Sequence, residues 1–172
     1  MGLTLDLDLK KCTACGACAI ACMDQNDIDV TRGIRPFRTV FDLEHTAGAV
    51  TRYVHVSLAC MHCDDAPCVT ACPCACLKKD PATNLTVFDT TNCIGCHSCA
   101  MACPFGIPSF GQEGKMQKCD GCATRVHMGM EPACVRVCPT GALRLVDSAE
   151  WENADPEHSL KKAGEAVLSA QV

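Results

Sequence analysis

Aromatic side chains are scarce in this chain of 172 residues: Trp151, Tyr53 and five phenylalanines are all it has. A domain of this length ordinarily builds its core from large apolar side chains, so something besides side-chain packing must fill the middle. Long apolar runs are also missing. No segment approaches the roughly 18 consecutive apolar residues of a membrane-crossing helix. The opening residues, MGLTLDLDLKK, lack a basic start followed by an apolar stretch, and they lack a twin-arginine pair, so no signal peptide is read in them. There is no basic block of the kind nucleic-acid binding needs, and the formal net charge is −5. No phosphate-cradling glycine loop, no nucleophile elbow and no His–carboxylate pair marks a site for an organic substrate.

Cysteine is what the chain has in excess: 18 residues, in a length that suits one domain or two small fused ones. Cysteine at this density means either a disulfide scaffold in a secreted protein or metal ligation in a reducing compartment. Without a signal peptide the second reading holds, and a cytoplasmic protein is expected. Sixteen of the cysteines fall into four groups of four. Group one is Cys12, Cys15, Cys18 and Cys22. Group two is Cys60, Cys63, Cys68 and Cys72. Group three is Cys93, Cys96, Cys99 and Cys103. Group four is Cys119, Cys122, Cys134 and Cys138. Every group ends in a C-x3-C step, and Pro73, Pro104 and Pro139 follow three of them.

This spacing has a physical reading. A C-x2-C-x2-C loop wraps one iron-sulfur cluster and presents three thiolates from one side. The x3 step opens a helical turn and carries the fourth cysteine to a neighbouring cluster, as in the bacterial ferredoxin run. Zinc knuckles also use C-x2-C pairs, but zinc needs two pairs per ion and has no use for the longer run. A zinc-binding interaction module is therefore the rival from another class. With clusters bound, each adding roughly two negative charges when oxidised, the protein would be clearly anionic, a poor partner for nucleic acid or anionic lipid.

The secondary structure expected around the groups is α+β. Thr4–Leu9 alternates polar and apolar like a strand; Leu85–Asp89 and Ala142–Val146 read the same way. Ile34–Glu44 and Thr51–Leu58 read as a hairpin around Ala47-Gly48. Short helices are expected to carry the C-x3-C steps.

Groups one to four, in this order and spacing, resemble the four-cluster ferredoxin subunit of the dimethyl-sulfoxide-reductase type. Related subunits accompany formate dehydrogenases, nitrate and polysulfide reductases, and some tungsten aldehyde oxidoreductases. The residues that carry the resemblance are Cys60-Met-His-Cys63-Asp-Asp-Ala-Pro67-Cys68, Cys93-Ile-Gly-Cys96, Cys103-Pro-Phe-Gly106, and Lys118-Cys-Asp-Gly-Cys122 with Arg125, Gly129 and Pro132-Ala-Cys134. The likeness spans about Lys10 to Leu145. It implies four 4Fe-4S clusters with crossed ligation. Cys12, Cys15 and Cys18 would hold one cluster with Cys138; Cys119, Cys122 and Cys134 its neighbour with Cys22. Cys60, Cys63 and Cys68 would hold a third with Cys103; Cys93, Cys96 and Cys99 a fourth with Cys72. Some relatives put Trp where this chain has Cys96 and hold a three-iron cluster there, so four full cubanes are expected.

The resemblance further implies two bacterial-ferredoxin-like dicluster units, one inserted into the other. Residues 1–50 and 111–146 would form the first, residues 51–110 the inserted second, and residues 147–172 a C-terminal helical tail, with the β-hairpin as an insertion. The expected role is electron transfer between a large molybdenum- or tungsten-pterin catalytic subunit and a distant acceptor or donor. A flavin or membrane redox subunit, or further copies of the chain itself, are other possible partners. The group-one cluster is expected nearest the catalytic site and the group-three cluster distal. A free polyferredoxin shuttling between enzymes is the alternative.

Two departures from the family stand out. After group two the family usually reads Cys-Pro-Thr-Gly-Ala, whereas this chain reads Cys72-Pro73-Cys74-Ala75-Cys76. Cys74 and Cys76 are read as small buried hydrophobes in place of Thr and Ala; the sharper reading is an alternative or additional ligand. The C-terminal membrane anchor of some relatives does not occur in these residues.

The remaining candidates have bland readings beside functional ones. His62 and His97 are expected to pack or hydrogen-bond, because full cysteine quartets make them unnecessary as ligands. Lys115, Lys118 and Arg125 around group four either offset cluster charge or are solvated. The loop from Ala123 to Ala133, with Met128 and Met130, is a partner surface or ordinary packing. Asp155-Pro156-Glu157 is expected to start a helix whose Leu160, Ala163, Val167 and Leu168 share one face, docked on a partner or on the chain itself.

Overall fold

The computed structural model of the chain describes residues 2–152 and 159–169. Four two-stranded antiparallel sheets and seven short helices make up the described part. Strand β1 (Leu3–Leu7) pairs with β8 (Leu143–Asp147), Leu5 opposite Leu145 and Leu7 opposite Leu143. This pairing joins the two ends of the cysteine region, so groups one and four become neighbours. β1 ends before Leu9 because the Asp8 carboxylate accepts the Lys10 N–H at 3.0 Å and turns the chain toward Cys12.

The hairpin forms as β2 (Thr39–Ala47) and β3 (Val50–Leu58) around the two-residue turn Gly48-Ala49. Gly48 has φ +62°, the left-handed geometry that tight hairpin turns require. β2 begins five residues later than the pattern predicts; Pro36 lacks an N–H for a sheet ladder. Only the base of the hairpin is interior. Ser57 is buried and Val40 packs on the core, whereas Leu43, Tyr53 and Val54 are exposed.

Between the hairpin and β8 lie β4 (Leu77–Lys79) paired with β5 (Thr86–Phe88), and β6 (Ser109–Phe110) paired with β7 (Met116–Gln117). Four helices carry the third cysteine of each group. These are α1 (Ala17–Gln25), α2 (Pro67–Thr70), α3 (Ser98–Ala102) and α5 (Ala133–Arg136). α1 packs against α5 and α2 against α3. The segment read as a loop begins with a helix, α4 (Ala123–His127); Gly129, at φ +75°, lies just past its end, and Met128 and Met130 are exposed. His127 pairs with the buried Asp80 carboxylate and so ties α4 to the end of β4.

Among the described residues there is no large apolar core; three small clusters of buried residues form instead, each containing cysteine: one around Leu7, Cys18 and Cys134, one around Leu77, Cys68 and Cys99, one around Leu5 and Cys119. Beyond β8 come α6 (Ser148–Glu152) and α7 (Leu160–Ser169). Asp155, Pro156 and Glu157 lie outside the described residues. The start of α7 is held by the chain itself. Ser159 Oγ donates to Asp6 at 2.8 Å, and Lys161 Nζ donates to Thr4 at 2.9 Å and covers the Trp151 ring. Among the described residues no helix is long and apolar enough to cross a membrane.

Candidate metal centres

The third cysteine of every group occupies the second residue of its helix: Cys18 in α1, Cys68 in α2, Cys99 in α3, Cys134 in α5. All four are buried. The fourth cysteine follows four residues on, about 6 Å further along a helical path. One short helix can therefore address two separate cavities, which is the physical content of the C-x3-C step.

The cavities bear this out in their linings. One is walled by Cys12, Cys15 and Cys18 together with Cys138. A second collects Cys22 with Cys119, Cys122 and Cys134. α1 sends one cysteine into each of these two, and α5 with the turn after it does the same through Cys134 and Cys138. A third is lined by Cys72 with Cys93, Cys96 and Cys99. The sulfurs of Cys60, Cys63, Cys68 and Cys103 stand close enough for their charges to act on one another. Each quartet thus gathers three cysteines of one group and the last cysteine of another.

Tetrahedral zinc at a Zn–S distance of 2.3 Å draws its sulfurs to within about 3.8 Å of each other. Among the described residues no three His, Cys, Asp or Glu side chains stand close enough to hold a single metal ion. All 18 cysteines are free of disulfides.

The loops are shaped alike. The residue before the second cysteine of each group has left-handed backbone: Ala14, His62, Gly95 and Gly121, with φ between +48° and +75°. Successive N–H groups in such turns form concavities that favour anions, iron-sulfur groups among them. Backbone N–H groups reach the sulfurs directly: Gly121 to Cys119 at 3.3 Å, Met116 to Cys93 at 3.4 Å, Cys76 to Cys72 at 3.3 Å. Side chains add to this. Ser57 Oγ lies 3.2 Å from Cys18 Sγ, and Asn26 Nδ2 donates to Cys22 Sγ at 3.6 Å.

Two buried cations complete the electrostatics, and neither has a carboxylate partner among the described residues. Arg38 is 3% exposed; among the described residues its guanidinium bonds only Ser57, through O at 3.1 Å and Oγ at 3.0 Å. Burial disfavours its charge, but the sulfurs of Cys134, Cys119, Cys18 and Cys22 outweigh that and push its pKa above the ordinary value. Lys118 is 1% exposed and lies between Cys60 and Cys119. A buried charge without a counter-charge is strongly disfavoured. Anionic groups at the sulfurs supply what is missing, and this is the strongest sign that thiolate-bound clusters fit here.

Two of the most buried thiols are held protonated without metal. Burial, helped by Cys134, pushes Cys22 up to about 11; burial and Cys60 do the same to Cys68. Loading a cluster must expel these protons.

Other candidates take defined places. Buried His62 accepts the Thr86 N–H on Nδ1 at 2.9 Å, and burial followed by the charges of Lys118 and Lys79 holds its pKa well below the ordinary value. Its one proton is then on Nε2, 3.8 Å from Cys119 Sγ. His97 stacks on Phe110, centroids 3.7 Å apart. Arg125 bonds the Glu131 carbonyl and Gln25, pinning its loop to α1, and Lys115 is half-buried. Cys74 and Cys76 line the same cavity as Cys72. Sequence reasoning missed Arg38 and Ser57, which carry no spacing signal.

The comparisons agree with this chemistry. The family described as 4Fe-4S dicluster domain matches residues 51–148, which include groups two, three and four. The nitrate-inducible formate dehydrogenase iron-sulfur subunit of Escherichia coli (strain K12) is 36% identical over 153 residues, covering 81% of this chain and 52% of the relative. The thiosulfate reductase electron transfer subunit PhsB of Salmonella typhi is 39% identical over 141 residues, 80% of this chain and 72% of the relative. The protein named "Probable anaerobic dimethyl sulfoxide reductase chain YnfG", from Escherichia coli (strain K12), is 38% identical over 148 residues, 81% of this chain and 70% of the relative. The chain spans about half the length of the formate dehydrogenase subunits it matches. On its cysteine-lined cavities and these matches together, the chain belongs to the 4Fe-4S dicluster domain family and is an iron-sulfur protein.

Proposed function

We propose that the chain holds four 4Fe-4S clusters in series and relays electrons between a large molybdenum- or tungsten-pterin catalytic subunit and a distant donor or acceptor. The observation that supports this reading is three cavities lined by cysteines of two groups each, beside Cys60, Cys63, Cys68 and Cys103 gathered close together. Cys12, Cys15, Cys18 and Cys138 hold the first cluster, and Cys22, Cys119, Cys122 and Cys134 the second. Cys60, Cys63, Cys68 and Cys103 hold the third, and Cys72, Cys93, Cys96 and Cys99 the fourth. Each cluster, when bound, takes up and gives back an electron at a potential set by its surroundings. Four cysteines per cluster leave no open position for a substrate.

Neighbour relations support the order. α1 and α5 link the first two quartets, and α2 and α3 the last two. Lys118 and His62 lie between Cys119 and the group-two cysteines. Of the sixteen cysteines only Cys15 and Cys96 are exposed, one in group one and one in group three. Those are the two ends of the proposed series, where electrons must enter and leave. The same connections favour residues 51–110 as a dicluster unit inserted between residues 1–50 and 111–146, with residues 147–172 as a tail. The named relatives are subunits of formate dehydrogenase, thiosulfate reductase and dimethyl sulfoxide reductase, which supports a molybdenum- or tungsten-pterin partner here.

Affinity purification of the chain from its native cells, with molybdenum and tungsten analysis, tests the role. Co-purification with a large subunit containing either metal is the expected result. Recovery as a lone, stable, iron-loaded monomer contradicts it and favours a free polyferredoxin.

A further inference from the structure

Cations line the seam between the second and third quartets: Lys79 Nζ donates to the carbonyls of His62 and Cys63 at 3.3 and 2.8 Å, Arg38 acts on Cys119, and Lys118 acts on both Cys68 and Cys119. Lys118 stands among the largest fully buried side chains. Its Nζ donates to the carbonyls of Thr86 and Cys119, the latter at 2.7 Å, and lies 3.8 Å from Cys60 Sγ. The Phe88 ring lies 5.8 Å away. Nearby Lys161, also buried, pairs with Asp64 at 3.6 Å, but among the described residues no carboxylate pairs with Lys118. His62 stands on the other side of Cys119, its Nε2 3.8 Å from the sulfur. The two carbonyls aim the ammonium and supply no net charge. Of the three cations the sequence places around group four, Lys118 alone is fully buried; Arg125 is engaged by its own loop and by Gln25.

We propose that Lys118 is a positioning charge shared by two clusters, the one held by Cys22, Cys119, Cys122 and Cys134 and the one held by Cys60, Cys63, Cys68 and Cys103, and that it raises the potential of both. The inference rests on the ligand scheme proposed above. Reduction adds one electron, and no proton, to a thiolate-bound cluster already carrying about two negative charges. A fixed cation in a water-free interior attracts the reduced form more strongly than the oxidised one. Charge, net hydrogen bonding and solvent exposure set cluster potentials, and here one side chain acts on both sides of the crossing between pairs. The outer clusters, with Cys15 and Cys96 at the surface, lie beyond its reach.

EPR-monitored potentiometry on the iron-loaded full chain tests this with three variants. Lys118→Met removes the charge and keeps the length, Lys118→Gln keeps hydrogen-bonding capacity, and Lys118→Arg keeps the charge. The expected result is a downward shift of two midpoints in Lys118→Met and Lys118→Gln, two midpoints unmoved, and wild-type values in Lys118→Arg. Full iron content with all four midpoints unmoved in the neutral variants overturns the proposal, as does an equal shift in Lys118→Arg. Loss of iron from both neutral variants but not from Lys118→Arg supports a required charge, whereas loss from all three overturns it in favour of shape. The wild-type iron count is measured first. A count far from about sixteen per chain sinks the ligand scheme itself, while unmoved midpoints at full count sink only the role of Lys118.

Discussion

At the scale of single residues, the placement of Cys18 and Cys22 on one nine-residue helix is the most informative detail. They are one helical turn apart, yet they line different cavities. Cys22→Ala is therefore expected to remove the cluster of Cys119, Cys122 and Cys134 and leave that of Cys12, Cys15 and Cys18 intact. EPR of the reduced variant reads this directly; loss of the group-one signal instead refutes the crossed arrangement. Cys74 and Cys76 gain meaning from the internal repeat. Cys138-Pro-Thr140-Gly141-Ala142 and Cys72-Pro-Cys74-Ala75-Cys76 run in parallel, with φ +62° at Gly141 and +50° at Ala75. Thr140 and Ala142 wall one cavity as Cys74 and Cys76 wall another. The spacing made the groups visible in the sequence. It could not reveal Arg38 or the burial of Lys118, because those depend on which segments fold together, not on any local pattern.

At the scale of elements, the C-x-x-C loops separate backbone strain from crowding. The left-handed slot takes Ala14 and His62 in two groups, so a Cβ at this φ is tolerable there. In the other two groups the slot is glycine for a steric reason. A Cβ on Gly95 would meet the Gly114 carbonyl oxygen at 2.5 Å, and one on Gly121 would meet Leu85 Cδ1 at 2.9 Å. A side-chain end can move more easily than a backbone carbonyl. Gly95→Ala is expected to cost about 2–4 kcal/mol and Gly121→Ala about 1–2 kcal/mol, including roughly 1 kcal/mol for the left-handed backbone. Apparent melting temperatures of the loaded variants check the ranking, and a larger loss in Gly121→Ala contradicts it. The strands were legible from alternation to within a few residues, as at β1 and β8. The helix α4 was not, because a long cysteine spacing looks like loop until the packing is known.

At the scale of the molecule, the core of the described residues is divided into three small clusters that all contain cysteine. Few large apolar side chains hold the parts together, so the clusters must supply much of the folding free energy. Removing iron with a chelator under reducing conditions is expected to abolish the native circular dichroism; a native spectrum after complete iron removal contradicts this. The scarcity of aromatics already pointed to such an interior before any cavity was seen. How β1–β8 pairing encloses groups two and three was not readable from composition.

Quantitative iron and acid-labile sulfide analysis of the anaerobically purified protein, read together with Mössbauer spectra, decides whether one chain holds four clusters. About sixteen irons and about sixteen sulfides per chain, all in cubane form, are expected. A count near eight irons, or a colourless protein containing zinc, contradicts four clusters.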